Sequence, residues 1–217
     1  KIGKGSIIVI ERSGDVIPKI VSVDTPAEPD MPERKYVWND TNTDIMVGQN
    51  EDTDDANVVK RKQFEFLLTT LKFDHLGKGV IAKLYKSKID SLVKLYSLSK
   101  DDILKIEGFK EKSADKLYKS IQKRRKELVV LDYMVASNIF GRGLGTKNLS
   151  KIIERYPINS SFTVDDIVAI DGIGNIYAKK YVEALPKFKQ FLVTNNLDDV
   201  SNEPVAEKTP EVVVENN

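Results

Sequence analysis

The chain contains no cysteine and only one histidine, His75, among its 217 residues. Without thiols there can be no disulfides and no thiolate metal sites, which suits a reducing cytosol. A lone imidazole likewise makes a histidine-based metal centre a poor reading. No run approaches the roughly 18–20 uninterrupted apolar residues of a membrane span, and the first residues show no secretory leader pattern. The expected location is therefore cytoplasmic, with no membrane partner. The chain starts at Lys1 directly in strand-like sequence, which reads as a fragment, a processed chain or one half of a split protein.

What is present is an uneven distribution of charge. The formal net charge is +1, yet residues 1–57 carry 6 Lys and Arg against 12 Asp and Glu. Residues 58–197 carry 27 against 15, a net of +12, and residues 198–217 carry 1 against 6. A basic middle between acidic ends fits a polyanion-binding module with solvated flanks, and equally a lysine-rich helical surface.

The coarse organisation follows from residue spacing. Ile7-Ile8-Val9-Ile10 and Val16 to Val23 are β-branched runs around a Ser13-Gly14-Asp15 turn. Pro18 within the second run predicts an edge strand or a bulge there. One hairpin does not hold itself together in water, so the rest of its sheet is expected upstream or in residues 36–47. Tyr36-Val37-Trp38 and Ile45-Met46-Val47 could pair as two short strands, and Gln49 to Asn57 reads as a polar acidic loop. From residue 58 helical spacing takes over, as in Phe64, Leu67, Leu68 and Leu71, or Ala114, Leu117, Tyr118 and Ile121. Ser99, Asp101 and Thr163 are good helix-starting residues. The residues from Asp198 are acidic, without amphipathic period, and read as a disordered linker.

Four segments in the basic region share one plan of apolar residue, glycine-bearing turn and amphipathic helix. Their central apolar residues are Leu76, Phe109, Leu144 and Ile173, spaced 33, 35 and 29 apart. The turn glycines are Gly77 and Gly79, Gly108, Gly143 and Gly145, and Gly172 and Gly174. Glycine on either side of the apolar plug is free to take positive φ. The next helix then starts with free N–H groups, a setting for a phosphate oxygen. Lys78, Lys110, Lys112, Arg142, Lys147 and Lys179 add charge beyond the turns, with Thr146 and Asn175 at helix starts. The pattern predicts nucleic-acid backbone binding, largely independent of sequence and weakened by salt. A helical solenoid is the blander reading, but the helices lack the Trp, Tyr and Pro markers of tetratricopeptides.

The order of segments resembles the NAD-dependent DNA ligases of bacteria and viruses. In these an OB-fold is followed by a four-cysteine zinc finger, four helix-hairpin-helix motifs and a linker to a BRCT domain. Gly5 to Val21, with Gly14-Asp15-Val16-Ile17-Pro18-Lys19, looks like the OB signature. Phe73-Asp74 with Leu76-Gly77, and Glu111-Lys112-Ser113-Ala114, resemble the first two hairpins. The resemblance implies a mainly α fold of tandem helix-hairpin-helix repeats with an N-terminal β segment from an incomplete OB-fold. Its parts would be 1–35 (end of the OB-fold), 36–57 (a connector in place of the zinc finger), 58–197 (DNA-binding hairpins) and 198–217 (linker). It implies a partner in nicked double-stranded DNA at a nucleoid or viral replication site, with possible OB contacts from Arg12 and Lys19.

The departures bound what this chain does by itself. No K-x-D-G motif occurs, so the adenylating lysine, NAD and Mg²⁺ would belong to a domain upstream or on a separate subunit. No zinc is expected in a connector without cysteine. His75 stands where the first hairpin's leading glycine is expected, and Lys110 where the second's trailing glycine is, so both hairpins would hold phosphate less well. Asp54-Asp55, Asp101-Asp102 and Asp165-Asp166 read as structural rather than catalytic carboxylates, the last two pairs at helix starts. The competing readings are a stand-alone DNA-structure-binding or repair scaffold and a helical protein-interaction repeat.

Overall fold

β-branched residues before Thr25 and helical spacing after Asp54 give two kinds of structure. The computed structural model describes residues 1–13, 17–33, 36–39, 42–47, 54–197 and 200. Two compact units divide between Thr53 and Asp54.

In the first unit, β1 (Ile7–Ser13) pairs antiparallel with β2 (Ile17–Thr25). The expected turn at Gly14 and Asp15, and Val16 after it, lie outside the described residues. The register slips between Ile7 and Ile8 and between Val9 and Ile10, so Asp24 and Val21 are the extra residues of β2. Pro18 is not itself a bulge. It sits in register opposite Arg12, and a two-stranded ribbon always leaves it an edge. Ile7, Val9, Ile10, Ile20 and Val21 are all exposed.

β3 (Tyr36–Trp38) and β4 (Ile45–Val47) pair as expected. Among the described residues they form a separate sheet, so they do not complete the first one. Asn39 organises their turn: its Oδ1 accepts from the N–H groups of Thr43 (2.9 Å) and Asp44 (3.1 Å), and its Nδ2 donates to the Asp44 carboxylate at 3.0 Å.

The second unit is helical. It begins earlier than the sequence indicated, because α1 spans Asp54–Leu71 and takes in residues 54–57 of the expected loop. An acidic polar stretch suits a helix N-terminus as well as it suits a loop, and spacing alone cannot choose. Residues 49–53 of that loop lie outside the described residues. There follow α2 (Lys78–Lys86), α3 (Leu92–Tyr96), α4 (Lys100–Leu104), α5 (Glu111–Glu127), α6 (Val130–Ser137), α7 (Thr146–Arg155), α8 (Val164–Val168) and α9 (Asn175–Thr194). Together these make a mainly α fold with a small N-terminal β segment. α1 packs on α2 and α6, α4 on α5, α6 on α7 and α8 on α9.

One continuous apolar core runs through this unit. Toward its N-terminal half, Phe73 lies against Tyr96, whose hydroxyl shares a 2.9 Å hydrogen bond with Tyr133. Burial pushes the ionisation of both phenols up, which keeps the pair neutral. Toward the other end, Phe140 stacks on Tyr181 at 5.3 Å and meets Phe188 at 5.4 Å. α9 continues through Pro186 because Tyr181, Ala184, Leu185, Phe188 and Leu192 anchor it on both sides.

Candidate functional site

The four glycine-bearing segments become four corners with one backbone plan. The residue before the apolar plug has positive φ in every case: His75 at 61°, Gly108 at 87°, Gly143 at 89° and Gly172 at 81°. Leu76, Leu144 and Ile173 are then buried, and Phe109 is partly buried against the same core. The residue after the plug is the N-cap of the outgoing helix, and it is extended: Gly77 (φ −74°), Lys110 (−122°), Gly145 (−83°) and Gly174 (−80°). This corrects the expectation that glycine on both sides supplies positive φ. Only the leading position needs it; any residue adopts the trailing one.

The trailing glycines therefore need another explanation, and their surroundings give one. A Cβ placed on Gly77, Gly79, Gly145 or Gly174 would meet nothing within 4 Å. Neither backbone strain nor packing demands glycine there; what glycine provides is an unobstructed approach to the helix N-terminus. The N-caps Gly77, Gly145 and Gly174 lend no side chain to the free N–H groups, and the first turns of α2, α7 and α9 hold no acidic residue.

The helices entering the corners are finished differently. Ser99 caps α4, accepting from the Asp102 N–H at 3.1 Å while the Asp102 carboxylate accepts from the Ser99 N–H at 3.2 Å. Thr163 and Asp166 do the same for α8, at 3.2 and 2.7 Å. The Ser99 hydroxyl, followed by Lys105, holds the Asp102 carboxyl down at about 2. Asp166 is lowered by the Thr163 N–H and hydroxyl. One oxygen of each carboxylate is engaged in its cap, and the other oxygen of Asp102 accepts from Lys105.

The second corner is the exception among the outgoing helices. The Lys110 N–H donates to Ser113 Oγ at 2.9 Å, and Glu111 in the first turn of α5 pairs with Lys100. Like the glycine N-caps, Lys110 lends no side chain to the free N–H groups of the first turn; this corner differs by its non-glycine N-cap and its acidic first turn. The sequence reads the first and second corners together as altered; in the structure the two helix starts differ. At the first, His75 takes the left-handed conformation and Gly77 leaves the helix start open. At the second, Lys110 stands at the N-cap and Glu111 brings negative charge to the first turn.

The corners work in two reciprocal pairs through contacts that residue spacing did not reveal. Lys180 Nζ of α9 donates to the Arg142 carbonyl at 2.8 Å, and Lys151 Nζ of α7 donates to the Asp171 carbonyl at 2.7 Å. Each of these helices thus pins the other's corner. In the first pair, Ser120 Oγ of α5 donates to the Asp74 carbonyl at 2.6 Å and Arg124 Nε to that of Leu71 at 2.8 Å. Lys83 of α2 lies over the Phe109 ring at 5.9 Å, beside Gly108. Lys83, Lys151 and Lys180 each fall eight residues after their own left-handed residue. That spacing was a usable signal.

Lys78, Lys110, Lys112, Arg142, Lys147 and Lys179 are all exposed, as are Thr146 and Asn175 at the starts of α7 and α9. Arg12 and Lys19 are exposed on the β1–β2 ribbon, but in adjacent register positions, and so on opposite faces. Among the described residues, no helix is long and apolar enough to cross a membrane.

A helical unit of four repeated corners, tied into two reciprocal pairs and leaving three helix starts open, is the class of module these features define. No model of a known protein family matches the chain. Individual proteins do. A DNA ligase of Acanthamoeba polyphaga mimivirus is 32% identical over 225 aligned positions, covering 100% of this chain and 35% of that protein. DNA ligases of Campylobacter hominis (32% identical; 82% and 29% covered) and Shewanella baltica (29% identical; 87% and 30% covered) match as well. The chain belongs to the DNA ligase family, as the counterpart of a C-terminal part of its members. It spans about a third of the length of the relatives it matches.

Proposed function

We propose that this chain is the DNA-gripping part of an NAD-dependent ligase, holding nicked duplex through backbone phosphates while another domain or subunit performs the chemistry. The four corners are then helix-hairpin-helix motifs, and the exposed apolar ribbon of β1 and β2 is the end of an OB-fold whose other strands cover it. The adenylating lysine, NAD and Mg²⁺ have no counterpart residues here, so no chemical step is assigned to this chain. Its place of action would be a nucleoid or a viral replication site.

One contrast carries the reading. The chain caps α4 and α8 with complete hydroxyl–carboxylate boxes, yet leaves α2, α7 and α9 open behind glycines with empty space in front. Lys78 and Lys147 stand in two of those first turns, where a cation opposes the helix dipole and lowers helix stability. A bound phosphate reverses that penalty and satisfies the free N–H groups. The second corner, with the acidic Glu111 in its first turn, would contribute least.

The test exploits the extended conformation of the trailing glycines. Gly145→Ser and Gly174→Ser fit without strain and supply the missing cap, so stability should hold or rise by a few tenths to ~1 kcal/mol. The serine hydroxyl and Cβ then occupy the anion's place, and affinity for nicked duplex should fall roughly tenfold in the double variant, since each phosphate contact is a charge-assisted bond. Fluorescence anisotropy beside thermal melts reads both quantities. Unchanged DNA affinity in a well-folded double variant would overturn the proposal.

A further inference from the structure

Gly143, in the third corner, is held from two helices at once. The carbonyl that precedes it, that of Arg142, accepts from Lys180 Nζ of α9 at 2.8 Å, and its own carbonyl accepts from Asn148 Nδ2 of α7 at 2.8 Å. Tyr177, in the first turn of α9, packs on the same glycine, where a Cβ would fall 2.1 Å from its ring. The fourth corner is held from α7. Lys151 Nζ donates to the Asp171 carbonyl at 2.7 Å, lies 3.6 Å from the Asp171 carboxylate, and would sit 3.4 Å from a Cβ on Gly172. A glycine turns its peptide easily, and each lysine fixes the peptide that leads into one. The helix that starts at the third corner thus orders the fourth, and the helix that starts at the fourth orders the third.

We infer that Lys151 and Lys180 are positioning residues that couple these two corners, so that phosphates at the starts of α7 and α9 are held cooperatively. This rests on the proposed phosphate grip. A phosphate on the free N–H groups of α9 fixes the first turns of that helix, and with them Tyr177 and Lys180. Those two side chains set Gly143, directly before the Leu144 plug. The third corner then meets its own phosphate already ordered, and loses less conformational freedom in binding it. Lys151 carries the same effect from α7 to Gly172. Reciprocity of coupling makes the two directions equal in size. The first pair of corners lacks this property, because Glu111 in the first turn of α5 leaves only the start of α2 open.

The experiment is a double-mutant cycle on nicked duplex with the full chain, using Gly145→Ser and Gly174→Ser to block the two helix starts. With the lysines intact, each single block removes its own phosphate and the coupling as well, whereas the double block loses the coupling only once. The product of the two single losses in affinity should therefore exceed the double loss by about fivefold. Lys151→Met and Lys180→Met keep the aliphatic stems and remove the ammonium groups. In that background the excess should fall close to one, with thermal melts confirming that the chain is folded. Lys180→Met alone cuts one of the two ties and should already lower the excess. Single losses that multiply to the double loss when both lysines are present overturn the inference and leave the phosphate grip standing. So does an excess that survives removal of both lysines, because lysines that only touch phosphate or only stabilise the fold change affinity or melting temperature and not the excess. Serine blocks that leave affinity unchanged overturn the grip itself, and the coupling with it.

Discussion

Four residues hold left-handed backbone at the corners, and they do so at different cost. For Gly108, Gly143 and Gly172 positive φ is free, whereas a residue with a Cβ gives up about 1–2 kcal/mol there. His75 bears that cost. His75→Gly is therefore expected to stabilise the fold by about 0.5–1 kcal/mol, the gain in backbone strain being partly offset by greater freedom of the unfolded chain. Gly143→Ala should do the opposite and cost about 2 kcal/mol or more, because the strain is joined by displacement of the Tyr177 ring. Urea denaturation of the two variants measures both signs. A destabilised His75→Gly chain would mean that the imidazole earns its place through contacts other than backbone geometry.

Helix ends show the same division of labour one level up. α4 and α8 are short, five residues each, and depend on their caps. Asp102 and Asp166 both have carboxyls held below the usual range by the hydroxyls and N–H groups they cap. A carboxyl lowered on folding stabilises the fold above its unfolded value near 3.8, and that contribution is lost as pH falls through its folded value, about 2 for Asp102. Asp102→Asn should therefore cost stability at neutral pH and flatten the decline between pH 4 and pH 2. An acid-unfolding profile parallel to that of the wild-type chain would show that the box contributes nothing. These caps were legible in the sequence, since Ser99 and Thr163 each precede an aspartate by three residues. The hydrogen bond from the Lys110 N–H to Ser113 was not, because serine in a first turn is equally at home facing solvent.

In the whole molecule, the basic stretch from residue 58 to 197 and the three open helix starts set the expected strength of the grip. If each open corner and its neighbouring lysine neutralise one or two phosphates, the logarithm of the affinity should fall with the logarithm of salt with a slope of about −3 to −5. Titrations of nicked duplex from low to moderate salt give that slope directly. A slope near zero would assign the basic charge to a merely solvated surface.

The repeat was visible because its plug residues and glycines recur at near-constant spacing, and periodicity needs no third dimension. So were the helical class, the capped helix starts and the paired short strands, all of which rest on local preferences. Other features waited on packing. That His75 shares the glycines' conformation, that the trailing glycines are extended and face open space, and that Lys151 and Lys180 hold each other's corners all depend on residues distant in sequence. A glycine in a sequence says only that many conformations are allowed. Which one is used, and whether its missing side chain leaves room for a neighbour or for a ligand, is decided by what the rest of the chain places in front of it.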